Sequence, residues 1–163
     1  MKEIKLTQGL VTFVDDDDFD KVNKYKWFAR KSNGIYYASS YIGKWRTGKM
    51  THMHNFIMGN KDGFMLDHID RNSLNNQKHN LRYCTFSENS RNKNPWGASS
   101  YKGVSIVHHK NKKKYWRAYI GINGKNMYLG FFKTQEEAAL AYNKAAIEYH
   151  GEFANINEII IKQ

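Results

Sequence analysis

Asn123-Gly124 separates two runs of alternating side chains, YWRAYIGI before it and NMYLGFF after it. An Asn-Gly pair accepts the left-handed backbone of a type I′ turn, whose twist matches that of paired strands, so it predicts an antiparallel hairpin. A third strand-like run, YKGVSIVHH, precedes them across the basic turn KNKKK. TQEEAALAYNKAAIEYHG follows and predicts a helix. Thr134 is placed as its N-cap, Glu137 completes a capping box, alanines fill the body and Gly151 ends it. Ala138, Ala141, Tyr142 and Ala145 form a small-residue face, which lets a helix lie close on a sheet. Three strands and one helix are enough for a separate small domain.

Alternation sorts the faces of that sheet. Trp116, Ala118 and Ile120 share parity and are expected against the helix, with Arg117 and Tyr119 pointing away. In the next strand Met127 and Leu129 go inward, Asn126 and Tyr128 outward. Lys102 and Ser105 are the matching outward candidates on the first strand. Lys110, Lys112, Lys113 and Lys114 make a turn suited to phosphates, which gives affinity without sequence information. The same turn reads equally well as a solvated charge run.

The chain has 163 residues, and Lys and Arg outnumber Asp and Glu by 26 to 15, a net charge of +11. That excess suits a polyanion, nucleic acid first. Aromatic residues make up 15% of the chain, ample material for burial, which argues against wholesale disorder. Cys84 is the only cysteine, so an internal disulfide and a cysteine-built structural zinc site are excluded. MKEIKLTQGL has no apolar core of signal-peptide length, and no run is long enough to span a membrane. The expectation is a cytoplasmic protein, neither secreted nor membrane-bound.

Before about residue 60 the pattern is of short strands with helical pieces. Asp15 to Asp18 precede FDKVNKYKW, where Phe19 and Val22 have helical spacing, so the carboxylates read as an N-terminal cap and dipole partner. They lack the spaced ligands, central Gly and closing Glu of a calcium loop. WFAR, YYASSYI and KMTHMH are strand-like, and His54 to Met58 reads as a short helix stopped by Gly59. Asn94 to Ser100 holds the only proline beside Gly and Ser and is the linker candidate.

LDHIDRNSLNNQKHNLRYCTFSEN carries the candidate chemistry. Hydrolysis of a phosphodiester needs a base to activate water and a cation to stabilise charge on phosphate and leaving oxygen. A hard cation takes oxygen ligands and keeps several waters, so one carboxylate and one amide oxygen form a sufficient protein share. A histidine with an ordinary pKa near 6.5 is largely neutral at physiological pH, as a base must be. Asp67, His68, Asn80 and Asn89 fit this chemistry together. Singly, an Asp-His pair is more often a solvated turn, and asparagine is abundant here. His52, His54 and His79 read as structural or surface residues. Arg71, Arg82 and Arg91 are possible phosphate contacts, though exposed arginines need no such reason.

DHID, then NNQKHNLR, then CTFSENSRN resembles the HNH endonucleases of the small mobile-element and phage type. LVTFVDDDDFDKVNKYKW and MHNFIMG resemble the leader of that family, so the likeness covers nearly all of residues 1–94. It implies a β-hairpin and helix holding one divalent metal, Mg²⁺ or Mn²⁺, in a ββα-metal fold. Asp67 and Asn89 would be the ligands, His68 the general base, and Asn80 the residue that fixes the loop between the strands. Asn89 stands where the family name has a histidine. The cysteine-bound zinc of some members is missing, which leaves the N-terminal strands to brace the site.

YKGV, WRAYI, YLGFF, EEAALAYNKAA and GEFANIN resemble the DNA-binding domain of plant ethylene-response factors, the Apetala type. That resemblance implies a three-stranded sheet in the major groove with its helix behind, in an Apetala/ERF-like domain at residues 101–163 after a linker at 95–100. Ser105 and Asn126 stand where arginines are usual in the plant pattern, so the plant target sequence does not carry over.

The expected fold class is α+β. The expected protein is a homing-type, site-specific endonuclease that acts on double-stranded DNA, as a monomer, and leaves 5′-phosphate and 3′-hydroxyl ends. The rival readings are a non-catalytic DNA-binding regulator and an RNA-directed protein. An intact Asp-His-Asn set argues against the first. The sheet lacks the glycine-aromatic signature of an RRM.

Overall fold

The computed structural model describes residues 1–44, 47–93, 99–108 and 114–159. The chain divides into two compact units, Met1–Ser87 and Glu88–Gln163. Residues 95–98 of the expected linker lie outside the described residues, as do Lys110, Lys112 and Lys113.

The first unit opens with an antiparallel hairpin, β1 (Lys2–Lys5) and β2 (Val11–Val14), and helix α1 (Asp16–Val22). A three-stranded antiparallel sheet follows, β3 (Phe28–Ser32), β4 (Ile35–Ile42) and β5 (Lys49–His52), with β4 in the middle. Helix α2 (Met53–Met58) leads to a second hairpin, β6 (Met65–His68) and β7 (Leu81–Cys84). Val14, Val22 and Met53 are wholly buried among Ile4, Leu6, Trp27, Ala29, Ala38 and Ile57. Each of the larger aliphatic side chains among them contributes about 1.5–3 kcal/mol of burial, which holds the first hairpin, the three-stranded sheet and both helices in one body. The Trp27 indole N–H donates to the Val22 carbonyl at 2.8 Å, so this core leaves it no unmet donor.

Two local expectations need correction. Asp15 does occupy the N-cap of α1, yet its side chain makes no cap bond. Its carboxylate instead accepts from Lys78 N at 2.8 Å and Gln77 Nε2 at 3.0 Å, far along the chain. Asp16, Asp17 and Asp18 still fill the first turn, where negative charge suits the helix dipole. Helix α2 begins at Met53 rather than His54, and Gly59 ends it at φ +79°.

In the second unit β8 (Val104–His108), β9 (Lys114–Ile122) and β10 (Lys125–Phe132) form an antiparallel sheet with β9 central. Asn123 and Gly124 sit at φ +51° and +76°, the two left-handed corners that the Asn-Gly pair predicts. Helix α4 (Gln135–His150) starts with the full capping box: Glu137 N donates to Thr134 Oγ1 at 3.1 Å, and Thr134 N to Glu137 Oε2 at 3.3 Å. Its buried face holds Ala138, Ala139, Tyr142, Ala145 and Ala146, and Ala141 lies at the half-buried edge rather than within it. The Tyr142 ring fills the space over Gly103. A Cβ there would stand 2.0 Å from the ring, and φ is +71°.

The architecture is therefore α+β, built of small antiparallel sheets with few helices. No helix among the described residues is long and apolar enough to cross a membrane.

Candidate active site

Asp67 and His68 are the last residues of β6, so alternation sends their side chains to opposite faces of the hairpin. Asp67 is directly opposite Arg82 on β7. Arg82 Nη2 and Nε donate to Asp67 Oδ2 at 2.9 and 3.1 Å, with the side chains only 12% and 8% exposed. The Arg82 guanidinium is thus largely buried and held by a carboxylate, not spread on the surface. A carboxylate has about four acceptor positions, so one guanidinium does not exhaust its capacity for a hard cation. Among the described residues no cluster of three or more His, Cys, Asp or Glu side chains is built to hold a metal. The expected donor set, one carboxylate and one amide oxygen completed by water, is chemically different and suits Mg²⁺ or Mn²⁺. Asn89 lies on α3 (Phe86–Arg91), a helix that begins in the first unit and ends in the second, and it falls in the second unit's span.

His68 is 7% exposed. Its Nε2 is 3.3 Å from Asn76 Oδ1, and the His54 ring stands edge-on to it at 5.1 Å. His52 stacks on His54 at 5.4 Å, and Tyr37 lies 5.2 Å from His52. Burial lowers the pKa of His68 below 6.5, although the Asn76 bond and the Asp70 and Asp67 charges pull the other way. Burial, with the neighbouring His68 and His52, takes His54 down to about 3. Both rings are therefore neutral at physiological pH, and a neutral His68 can accept a proton.

The loop between β6 and β7 is held from within by Asn80, 4% exposed. Its Oδ1 accepts from Asp70 N at 2.9 Å, and its Nδ2 donates to Asp70 Oδ1 and the Asn75 carbonyl, each at 2.9 Å. Asp70 also accepts from Asn72 N and Asn75 Nδ2. Strand β2 holds the loop from outside. Phe13 N donates to the Leu74 carbonyl and Asn76 N to the Phe13 carbonyl, both at 2.8 Å, while Thr12 Oγ1 donates to the Leu74 carbonyl at 2.7 Å. Asp15 continues this bracing onto the short 3-10 turn Lys78–Asn80. Burial raises the Asp15 carboxyl, but the Lys78 and Gln77 bonds and the His79 and Lys78 charges outweigh it and leave its pKa lowered.

On the second unit's sheet, Arg117, Asn126 and Tyr128 are exposed and Ser105 and Tyr119 half-buried. Arg117 pairs across the strands with Ser105 and donates to its Oγ at 3.3 Å, and its guanidinium lies 5.8 Å from the Tyr119 ring centre. Ala118 and Ile120 are buried on the helix side, where Trp116, Met127 and Leu129 also pack. Lys114 starts β9 and is exposed. Lys102 departs from expectation. Gly103 turns the chain before β8 starts, and the Lys102 ammonium donates to the carbonyls of Arg91 and Lys93 instead of standing on the strand.

No family model matches the sequence. An uncharacterized HNH endonuclease of Acanthamoeba polyphaga mimivirus is 37% identical over 155 residues, spanning 93% of this chain and 77% of that protein. The chain belongs to the HNH endonuclease family. Its C-terminal part is also similar to plant proteins. An ethylene-responsive transcription factor of Arabidopsis thaliana is 49% identical over 63 residues, and an AP2-like ethylene-responsive transcription factor of Oryza sativa subsp. japonica is 53% identical over 57. These matches span 37% and 34% of this chain but only 14% and 8% of the plant proteins.

Within this HNH endonuclease, sequence reasoning passed over three residues that surround the candidate base or frame the outward sheet. Asn76, 1% exposed, is the hydrogen-bond partner of His68, and Thr12 is the partner of Asn76. Nothing local marks Asn76 among many asparagines. Thr12 carried a weak signal as the hydroxyl in an otherwise apolar strand VTFV. The third is Phe131. A bulge between Tyr128 and Gly130 resets the alternation, so Phe131 pairs with Arg117, is 58% exposed, and lies 5.4 Å from the Tyr128 ring.

Proposed function

We propose that this HNH endonuclease family member is a site-specific, homing-type DNA endonuclease. Residues 1–94 form a ββα-metal nuclease domain, residues 95–100 a linker, and residues 101–163 an Apetala-like DNA-binding domain. The observation that carries the reading is His68, buried, neutral and held by a side chain, next in sequence to Asp67. His68 accepts the proton of the attacking water. Asp67 and Asn89 would hold a single Mg²⁺ or Mn²⁺, which when bound stabilises charge on the phosphate and on the departing 3′ oxygen. Arg82 holds the Asp67 carboxylate in place, and Asn80 keeps the loop that follows His68 in shape. The products carry 5′-phosphate and 3′-hydroxyl ends, and one active site per chain cuts one strand per event. The acting form is a monomer on double-stranded DNA.

The outward row of exposed Arg117, Asn126 and Tyr128 with half-buried Tyr119 and Ser105 supports DNA as the partner. The Arg117 guanidinium and the Asn126 amide can meet base edges, while Lys112, Lys113 and Lys114 supply phosphate contacts. Supercoiled plasmid bearing the DNA that flanks the gene is the test substrate, with Mg²⁺ or Mn²⁺. The native chain should cut it and EDTA should stop it. His68→Ala should lower the rate by about 10²–10⁴-fold, the usual worth of a general base, with DNA binding retained. Equal cutting by His68→Ala would remove His68 as the base. Binding without cutting by the native chain would favour a regulator.

A further inference from the structure

The polarity of the hydrogen bonds behind His68 is determined by their acceptors. Thr12 is wholly buried, and its Oγ1 is 2.7 Å from the Leu74 carbonyl oxygen. A carbonyl oxygen only accepts, so the Thr12 hydroxyl must spend its single proton there. Asn76 also approaches Thr12 Oγ1 at 2.7 Å, and with that proton committed the Asn76 end must be the donor, Nδ2. The other end of the amide, Oδ1, therefore faces His68 Nε2 at 3.3 Å. The flipped amide would require Thr12 to donate to Asn76 and would leave two lone pairs opposed at the Leu74 carbonyl. In a buried site such an opposed or unsatisfied polar group is costly.

We infer that Thr12 and Asn76 are positioning residues that fix the tautomer of His68, with the proton on Nε2 and the lone pair on Nδ1. This rests on the nuclease reading for its catalytic meaning and deepens it by naming the accepting atom. Water gives its proton to Nδ1 as its oxygen attacks phosphorus, and the P–O3′ bond breaks with its electron pair going to O3′. The ring then carries a proton on each nitrogen, and the Nε2–H bond to the Asn76 oxygen strengthens as positive charge develops. The Asn76 backbone N–H, bonded to the Phe13 carbonyl at 2.8 Å, keeps the amide from swinging away. Thr12, 64 positions before Asn76, thus decides which imidazole nitrogen of His68 is the base.

Two-bond nitrogen–proton correlation spectra of the histidine rings at alkaline pH read the tautomer directly, with no metal or DNA present. The His68 signals are assigned by difference with His68→Gln. The expected result for the native chain is a protonated Nε2 and an unprotonated Nδ1. In Thr12→Val, which keeps the shape and removes the hydroxyl, the ratio should shift toward a mixture. The kcat for plasmid cutting should then fall about tenfold with KM unchanged, since only the fraction with a correctly placed lone pair reacts. Thr12→Ser should restore both readouts. A native His68 protonated on Nδ1, or a Thr12→Val ratio identical to native, would overturn the inference. Failure of the nuclease reading registers separately, as undiminished cutting by His68→Ala, and leaves the tautomer measurement intact.

Discussion

Around the β6–β7 hairpin, Asp67, His68 and Asn80 are each less than a tenth exposed and bonded to side chains or backbone of the same hairpin and its loop. On the β8–β10 sheet the polar residues Arg117 and Asn126 are exposed, and their support is an alanine-rich helix packed on the opposite side. The difference matches the work proposed for each surface. A base or metal ligand must be held in one geometry, which a buried and fully bonded side chain achieves. A surface that meets a large polyanion needs reach and charge, and the rigidity can lie one layer below.

Substitutions can break this contrast at either pole. The largest effect on folding is expected from Arg82→Ala. It leaves the Asp67 carboxylate without its guanidinium in a site 8% exposed, a loss on the order of 3–5 kcal/mol. Urea unfolding should show it in the transition of the first unit alone. Gly103→Ala is its counterpart in the second unit. The added methyl meets the Tyr142 ring and the φ of +71° is unfavourable, so about 2–4 kcal/mol should be lost there, with the hairpin site unchanged. A shared loss in both units would end the contrast.

Acid should act on the first unit next. The folded pKa of His54 is about 3 against 6.5 for the free side chain, so the unfolded chain binds the proton first. Stability is full above pH 6.5 and falls as the pH drops from there toward 3, at no more than about 1.4 kcal/mol per pH unit. His54→Gln should flatten that slope in a pH series of thermal unfolding. The smallest effect is expected from Arg117→Ala, exposed on the sheet. It should weaken binding to specific DNA by about 1–3 kcal/mol and relax site choice, measured by binding titration, with stability and plasmid nicking chemistry retained.

Much of the second unit was readable in the sequence because its signals are local. The Asn123-Gly124 turn, the Thr134–Glu137 capping box and the alternation around Ala118 each depend on residues a few positions apart. The alternation failed only at the bulge after Tyr128, which exposes Phe131 instead of burying it. In the first unit the motif residues were legible as types, and their partners were not. Asp15 suits a helix cap by every local rule, yet its carboxylate is claimed by Lys78 N and Gln77. Thr12 and Asn76 meet across 64 positions, and Arg82 is set opposite Asp67 only by the register of the hairpin. No period of 2 or 3.6 residues encodes such pairings.

Lys102 and Asn155 carry a consequence for anyone exchanging the AP2-like part of this chain. Between them they hold the carbonyls of Arg91, Asn92 and Lys93 at the end of α3. A graft joined within the Pro95 segment would remove the Lys102 and Asn155 donors from the end of α3 and loosen its last turn. A junction placed ahead of Glu88 would cut α3 itself and carry Asn89, the proposed metal ligand, away with the exchanged part, so an exchange has to keep Lys102 and Asn155 with the helix end they complete.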